Sequence, residues 1–197
     1  MYSRIMRDSN DTRARILSAA TREFAARGIA GARVDRIAAE SGASKPMLYA
    51  YFGSKDKLFD AVFTAHVVAN SDRVPFTADD LPGYVVGLYD DYLADPDLLR
   101  LIAWKRLEVS GDAYLYGALA TNDAAHRDAI AKQQRAGAVR PDISPADIWS
   151  LVISSAATWA QVSITQVATT TDHGDEHDRR RKALSAFIRD GLSAQGR

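Results

Sequence analysis

Apolar residues recur along this chain every three or four positions, the period of a helix, and nowhere keep the two-residue alternation of a strand. The first such run spans about 12–27. Ile16, Leu17, Ala20 and Phe24 form its stripe, while Arg13, Arg15, Arg22 and Glu23 lie elsewhere around it. Asn10 or Asp11 can cap its start, and Gly28 stands where a helix end accepts glycine. A short helix follows over about 34–41, with Val34, Ile37, Ala38 and Ser41 on one face. Gly42 supplies a sharp turn. Ser44 caps a third helix over about 45–52, and Pro46 falls in its first turn, where its missing N–H removes no intrahelical bond. Gly53 ends it. Ser54 caps a fourth helix over about 54–72, with Asp56 facing the positive end of the helix dipole.

The segment VPFTADDLPG, residues 74–83, carries two prolines and a glycine, breaks the pattern and reads as a linker. Beyond it the spacing predicts helices over about 79–94, 96–110, 112–137, 145–170 and 176–194. Pro96 and Pro145 sit just inside helix starts, Gly111 and Gly137 lie at ends, and Ser144 with Asp147 has the spacing of a capping pair. The expected fold is all-α, with about nine helices. A three-helix N-terminal domain over 1–57 precedes a helical bundle over 58–197.

Composition narrows the function. The chain has 197 residues, 47% of them hydrophobic, enough for one large domain or two small ones. It has no cysteine, which excludes disulfides, thiolate metal sites and a cysteine nucleophile, and fits a reducing cytosol. The opening MYSRIMRDSN lacks the apolar run of a secretory signal. Residues 148–171 form a 24-residue stretch without charge or histidine, but eleven of them are Ser, Thr or Gln, too polar to face lipid. A cytoplasmic protein with no membrane partner is expected.

Net charge is zero, yet residues 1–57 hold 11 Lys/Arg against 6 Asp/Glu, a balance of +5, and residues 58–197 hold 14 against 19, a balance of −5. A basic head on an acidic remainder points to an anionic partner for the head alone. Catalytic signatures are missing. The chain has no serine nucleophile elbow, P-loop, HExxH or GxGxxG, and the adjacent Asp90 and Asp91 point to different sides of a helix. An enzyme is not expected, nor a cofactor. His173 and His177 have an i,i+4 spacing that can hold a metal, but the glycine between them reads as a polar loop entering a helix, and no metal site is assigned.

Two short helices, a tight glycine turn and a capped, basic, aromatic second helix describe a helix-turn-helix. Its second helix must enter a major groove about 12 Å wide. Lys45 can reach a base edge or a phosphate, Tyr49 and Tyr51 can set hydroxyls on phosphates, and Pro46, Met47 and Ala50 suit thymine methyls. Leu48 and Phe52 have the spacing of core anchors. Lys55, at the start of the fourth helix, suits a phosphate.

The run VDRIAAESGASKPMLYAYFGSKDKLF, Val34–Phe59, with REFAARG before it, resembles the helix-turn-helix of the TetR family of bacterial transcriptional repressors. The resemblance covers about residues 12–63; the remainder matches only in length and helical character. It implies a homodimer of nine or ten helices per chain that reads a palindromic operator in double-stranded DNA and is switched by a small-molecule effector held in the C-terminal domain. It also places DNA contacts at Lys45, Pro46, Met47, Tyr49, Tyr51 and Lys55, and near the start of the second helix at Arg33 and Arg36. The family's usual Thr or Ser before that helix is replaced by Ala32-Arg33, a lost hydroxyl cap worth about 1 kcal/mol.

All three tryptophans and many tyrosines fall in the C-terminal part. Tyr89, Tyr92, Trp104, Leu107, Glu108, Trp159 and Ser163 are the candidate lining of an effector cavity, with Trp104 and Glu108 one turn apart as an aromatic wall and a carboxylate. The resemblance implies a dimer face on the last two helices, with Trp149, Val152, Ala156 and Phe187 as its candidates. The expected function is a ligand-released repressor. The alternatives are an architectural DNA binder, disfavoured by zero net charge, and an activator of the same family.

Overall fold

The structure, a computed structural model, describes residues 2–108, 117–161 and 163–194. Among the described residues the chain forms nine helices and no strand; an isolated bridge pairs Val139 with Ser193. No described helix is long and apolar enough to cross a membrane. Two compact units result. The first takes the chain to Ala69 and returns for residues 97–108; the second holds Asn70–Pro96 and the chain from residue 117 onward. The helices over Lys55–Arg73 and Pro96–Glu108 supply apolar faces to the first unit.

That unit contains α1 (Tyr2–Gly31), α2 (Val34–Ser41), α3 (Lys45–Phe52), most of α4 (Lys55–Arg73) and α6 (Pro96–Glu108). Ile16, Ala20 and Phe24 of α1 are fully buried, as the stripe predicts, with Ile37, Leu58, Phe59 and Phe63. Phe24 meets Phe59 edge-on, centroids 5.2 Å apart. Lys105 of α6 lies buried 4.9 Å over the Phe63 ring and bonds Asp60 at 2.8 Å, so its charge is matched. Helix α1 begins ten residues before the expected start, and its helical geometry breaks at Gly28 (φ 71°, ψ −176°), where the sequence places its end.

The second unit contains α5 (Leu81–Ala94), α7 (Gly117–Arg135), α8 (Pro145–Ala156) and α9 (Gly174–Leu192). The expected helix over 112–137 begins outside the described residues. Asp80 caps α5 and Ser144 caps α8, each accepting a first-turn N–H. Leu88, Ile130, Ile148, Val152 and Ile188 fill the core.

The expected helix over 145–170 is corrected: α8 ends at Ala156. An irregular connection follows from Ala157 to His173. Its hydroxyls offer the backbone local alternatives to the helix ladder. Ser163 Oγ accepts the Thr165 N–H at 3.3 Å, and the Thr169 hydroxyl donates to Asp172 at 2.7 Å. The uncharged run therefore marks a loop as well as a buried helix. Ile164, midway along the connection, is fully exposed.

Candidate nucleic-acid interface

The α2–turn–α3 unit is built by local chemistry. Gly42 takes the left-handed conformation (φ 67°) and returns its N–H to Ala38, a turn that costs glycine little. Ser44 Oγ accepts the Met47 N–H at 3.3 Å, and Gly53 (φ 79°) closes α3 with its N–H on Tyr49 O at 2.8 Å. One face of α3 is anchored and the other is open. Leu48 and Phe52 are 2% and 8% exposed, whereas Met47, Tyr49 and Tyr51 are 42%, 47% and 36% exposed. Burying one such anchor stabilises by about 1.5–3 kcal/mol, which fixes the helix rotation. Lys45 and Pro46 share the exposed side.

The cations differ in how free they are. Lys45 pairs with exposed Asp35 across the turn, a solvent-screened contact that a phosphate can displace. Arg36 is tied down. Its Nε and Nη2 donate to Glu23 Oε1 at 2.8 and 2.5 Å, and Nη2 also reaches Gly31 O. Lys55 Nζ donates to Ala30 O and Ala32 O, both at 3.3 Å, so it braces the α1–α2 junction. Arg33 is exposed and its side chain makes no ion pair among the described residues.

The sequence reading missed Glu23. Helix α2 has no side-chain cap at Arg33, but Glu23 Oε1 accepts the Arg33 N–H at 2.9 Å, so a carboxylate from α1 ties the N-cap residue's own N–H and sets a negative charge at the positive end of α2. Glu23 is buried. Burial alone would raise its pKa, yet the hydrogen bonds from Arg36 and the Arg33 amide, with the Arg36 and Arg27 charges, hold it below the ordinary value. The signal was present as an acid on the polar side of α1 combined with the absent hydroxyl at 32 and 33.

Trp104 and Glu108 lie in the first unit. Trp104 Nε1 donates to Ala25 O at 3.1 Å, and Glu108 Oε2 accepts the Ala30 N–H at 2.6 Å. A Cβ on Gly28 would stand 2.2 Å from Glu108 Oε1 and 2.7 Å from the Trp104 ring, so α6 closes on α1 where the side chain is absent. Leu107 is 77% exposed. The aromatic wall and carboxylate expected of an effector cavity are thus engaged with the end of α1, because α6 packs against α1 instead of joining the second unit.

Tyr89 and Trp159, by contrast, meet in the second unit, edge to face at 6.0 Å. Tyr92 is buried, which raises its pKa strongly. Ser163 lies on the connection after α8. Two polar residues that the sequence reading did not place here join Tyr89. His177 Nδ1 lies 2.7 Å from the Tyr89 hydroxyl, and Arg180 carries its guanidinium carbon 6.0 Å over the Trp159 ring. His177 is therefore engaged as a hydrogen-bond partner, and no cluster of three metal-ligating side chains occurs among the described residues. A separate open cleft of about 520 Å³ lies between residues 73–80 and α5. Its acids are already matched: Asp91 by Arg73 and Asn70, Asp90 by Arg181, and Asp80 by the Gly83 N–H.

The expected dimer residues divide. Val152 and Ala156 are 0% and 1% exposed in the protomer's own core, and Trp149 packs on Phe76 and Tyr84 with its Nε1 on Asp123 at 3.0 Å. These three turn inward because α8 needs its apolar face for its own unit. Phe187 is 67% exposed on α9, and Leu151 is 49% exposed on α8.

Comparison with known proteins agrees with this architecture. Residues 16–62 match the sequence model described as bacterial regulatory proteins, tetR family, and residues 80–189 match the tetracyclin repressor-like C-terminal domain. The HTH-type transcriptional repressor SCO4008 of Streptomyces coelicolor is 38% identical over 156 residues, 79% of this chain and 81% of that protein. The HTH-type transcriptional activator FasR of Mycolicibacterium smegmatis is 43% identical over 118 residues, 49% of this chain and 53% of that protein. The crystal structure of the transcriptional regulator SCO4942 from Streptomyces coelicolor superposes with a TM-score of 0.77 at 36% identity, covering 93% of this chain and 99% of that one.

Proposed function

The chain belongs to the TetR family of bacterial regulators, and from that membership we propose that it is a repressor that dimerises on a palindromic operator and leaves it when a small molecule binds the second unit. The observation that carries the DNA reading is the two-sided α3, with Leu48 and Phe52 anchored inside and Lys45, Pro46, Met47, Tyr49 and Tyr51 presented outside. In a dimer two such helices enter successive major grooves about 34–36 Å apart. The repressor relative matches far more of this chain than the activator does, which favours repression.

Roles at the interface follow from what each side chain already touches. Tyr49, Tyr51 and Lys45 contact phosphates or bases, and exposed Arg33 joins them. Arg36 and Lys55 act first as braces, holding the α1–α2 junction at the height α3 requires. An effector that binds one state of the dimer better than the other shifts the population between them, and within the first unit Trp104 and Glu108 tie α6 to the end of α1 that leads into the DNA-reading helices. The protein acts in the cytoplasm, on chromosomal DNA.

The test is selection of genomic fragments on the purified protein at near-physiological salt, followed by sequencing. Enrichment of one or a few palindromic sites, with neighbouring transcription rising when the protein is deleted, is the expected result. Diffuse recovery without a shared sequence overturns the specific-reader assignment, and falling transcription at an enriched site overturns repression.

A further inference from the structure

Arg180 is fully buried in the second unit, and its five N–H donors are unequally used. Nη1 donates to Asp172 at 2.6 Å and Nη2 to Glu176 at 3.3 Å. Burial works against the charged guanidinium, but the hydrogen bonds to Asp172 and the Tyr89 hydroxyl hold its pKa above the ordinary arginine value. Nε is enclosed and has no hydrogen-bond partner among the described residues. A buried donor on a charged group is costly to leave unmet, more so than a neutral one.

Two further observations state what would meet it. The positive charge of Arg180 is already answered by two carboxylates, Asp172 and Glu176. A third anion would be in excess; an uncharged acceptor oxygen would not. The surroundings are aromatic: the guanidinium carbon lies 6.0 Å over the Trp159 ring, which meets Tyr89 edge to face. Two residues of the irregular connection from Ala157 to His173 lie against the group, Trp159 and Asp172, and that connection is closed on itself by the Ala168 N–H on Trp159 O at 2.7 Å. Only Ala168 among its described residues is buried, so the connection has little packing to lose on opening.

We propose that the Nε–H of Arg180, between Tyr89 and Trp159 and against the 157–173 connection, is the polar anchor of the effector site, and that its ligand is an uncharged, mainly apolar molecule bearing a carbonyl oxygen. The proposal rests on the reading that the second unit binds a small molecule, and it excludes carboxylates and cations as the group at Arg180.

The experiment uses the full-length protein labelled with ¹⁵N at arginine and three probes with the same ring: acetophenone, benzoate and ethylbenzene. The Arg180 Nε–H resonance is assigned by its loss in Arg180→Lys. Acetophenone is expected to move that resonance saturably and to bind about tenfold or more tighter than ethylbenzene, with benzoate weaker than acetophenone. In Arg180→Lys the advantage of acetophenone over ethylbenzene disappears. If that variant does not fold, the wild-type titration alone decides, with the resonance assigned by its contacts to Tyr89 and Trp159 protons. Equal binding of acetophenone and ethylbenzene, tighter binding of benzoate, or an Arg180 resonance that none of the probes moves overturns the proposal. Probe-induced shifts elsewhere in the second unit without movement at Arg180 would retain a ligand-binding unit and reject this site. No readout uses DNA, so failure of operator selection would be a separate result.

Discussion

Glu108 accepts the backbone N–H of Ala30 at 2.6 Å, so a carboxylate on α6 holds the segment that leads into the helix-turn-helix. Trp104, one turn earlier, holds Ala25 O from the same side. Gly28 between them combines φ 71° with ψ −176°, a region essentially restricted to glycine. Gly28→Ala is expected to destabilise by about 2–4 kcal/mol, from backbone strain and from collision with both side chains. Glu108→Ala is expected to cost only ~1 kcal/mol, because exposed Ala30 can turn to water, yet to weaken operator binding. In the double variant the two costs sum to less than their separate values, since the collision with Glu108 is gone. Denaturant titration of the four proteins checks this.

Glu23 ties three N–H groups of the α1–α2 junction and is the acid most consequential for the DNA-reading head. Glu23→Ala should cost about 2–3 kcal/mol, because it leaves the Arg33 N–H without its acceptor and releases Arg36. Its folded pKa lies below the ordinary glutamate value of 4.5, so its stabilisation is complete above that value and is lost as pH falls through the folded one. The stability gap between wild type and Glu23→Gln should therefore be constant from pH 7 to about 5 and narrow below it, which urea melts at stepped pH would read. A gap that widened on acidification would contradict the assignment.

Lys45 and Tyr49 should separate by salt. Both stand on the open face of α3, but only Lys45 can release a counterion. Lys45→Gln is expected to lower the slope of log affinity against log salt by about 0.9, across operator and unrelated DNA alike. Tyr49→Ala is expected to leave that slope unchanged and to weaken operator binding by about 1–3 kcal/mol, with no change in thermal midpoint because the ring is not a core anchor. Fluorescence anisotropy at several salt concentrations distinguishes them.

The N-terminal fold was legible because its determinants are local. Gly42, Ser44, Pro46 and Gly53 act within one or two turns of where they stand, and the structure puts α2 and α3 at the predicted bounds. The end of α8 was not legible. Residues 157–173 carry neither proline nor a charge before Asp172, and helix was abandoned there for side-chain hydroxyls and for Arg180, a partner beyond the segment itself. Glu23, Glu108 and Arg180 were missed as structural partners for the same reason: each binds backbone or side-chain groups 8 to 78 residues away, and spacing arguments see only three or four. Trp104 and Glu108 were correctly placed on one helix face; which helix that face would meet is tertiary information.

The dimer face can be assigned by contrasting two kinds of apolar residue on the same helices. Val152 lies wholly inside the protomer, so Val152→Ala removes packing from the second unit and is expected to cost about 2 kcal/mol of folding stability while leaving the dimer constant unchanged. Phe187 and Leu151 are the large apolar side chains that α9 and α8 leave exposed among the described residues. In a twofold interface each is buried twice, so Phe187→Glu loses about 3–6 kcal/mol of burial for the pair and adds two carboxylates that must stay wet. Phe187→Glu and Leu151→Glu are expected to give folded monomers at micromolar concentration by sedimentation equilibrium, with helical content unchanged by circular dichroism. Because a palindromic site needs two recognition helices, both variants should also lose operator affinity, whereas Val152→Ala should keep it at temperatures where the fold survives. A dimer that persisted in both glutamate variants would move the interface off these helices.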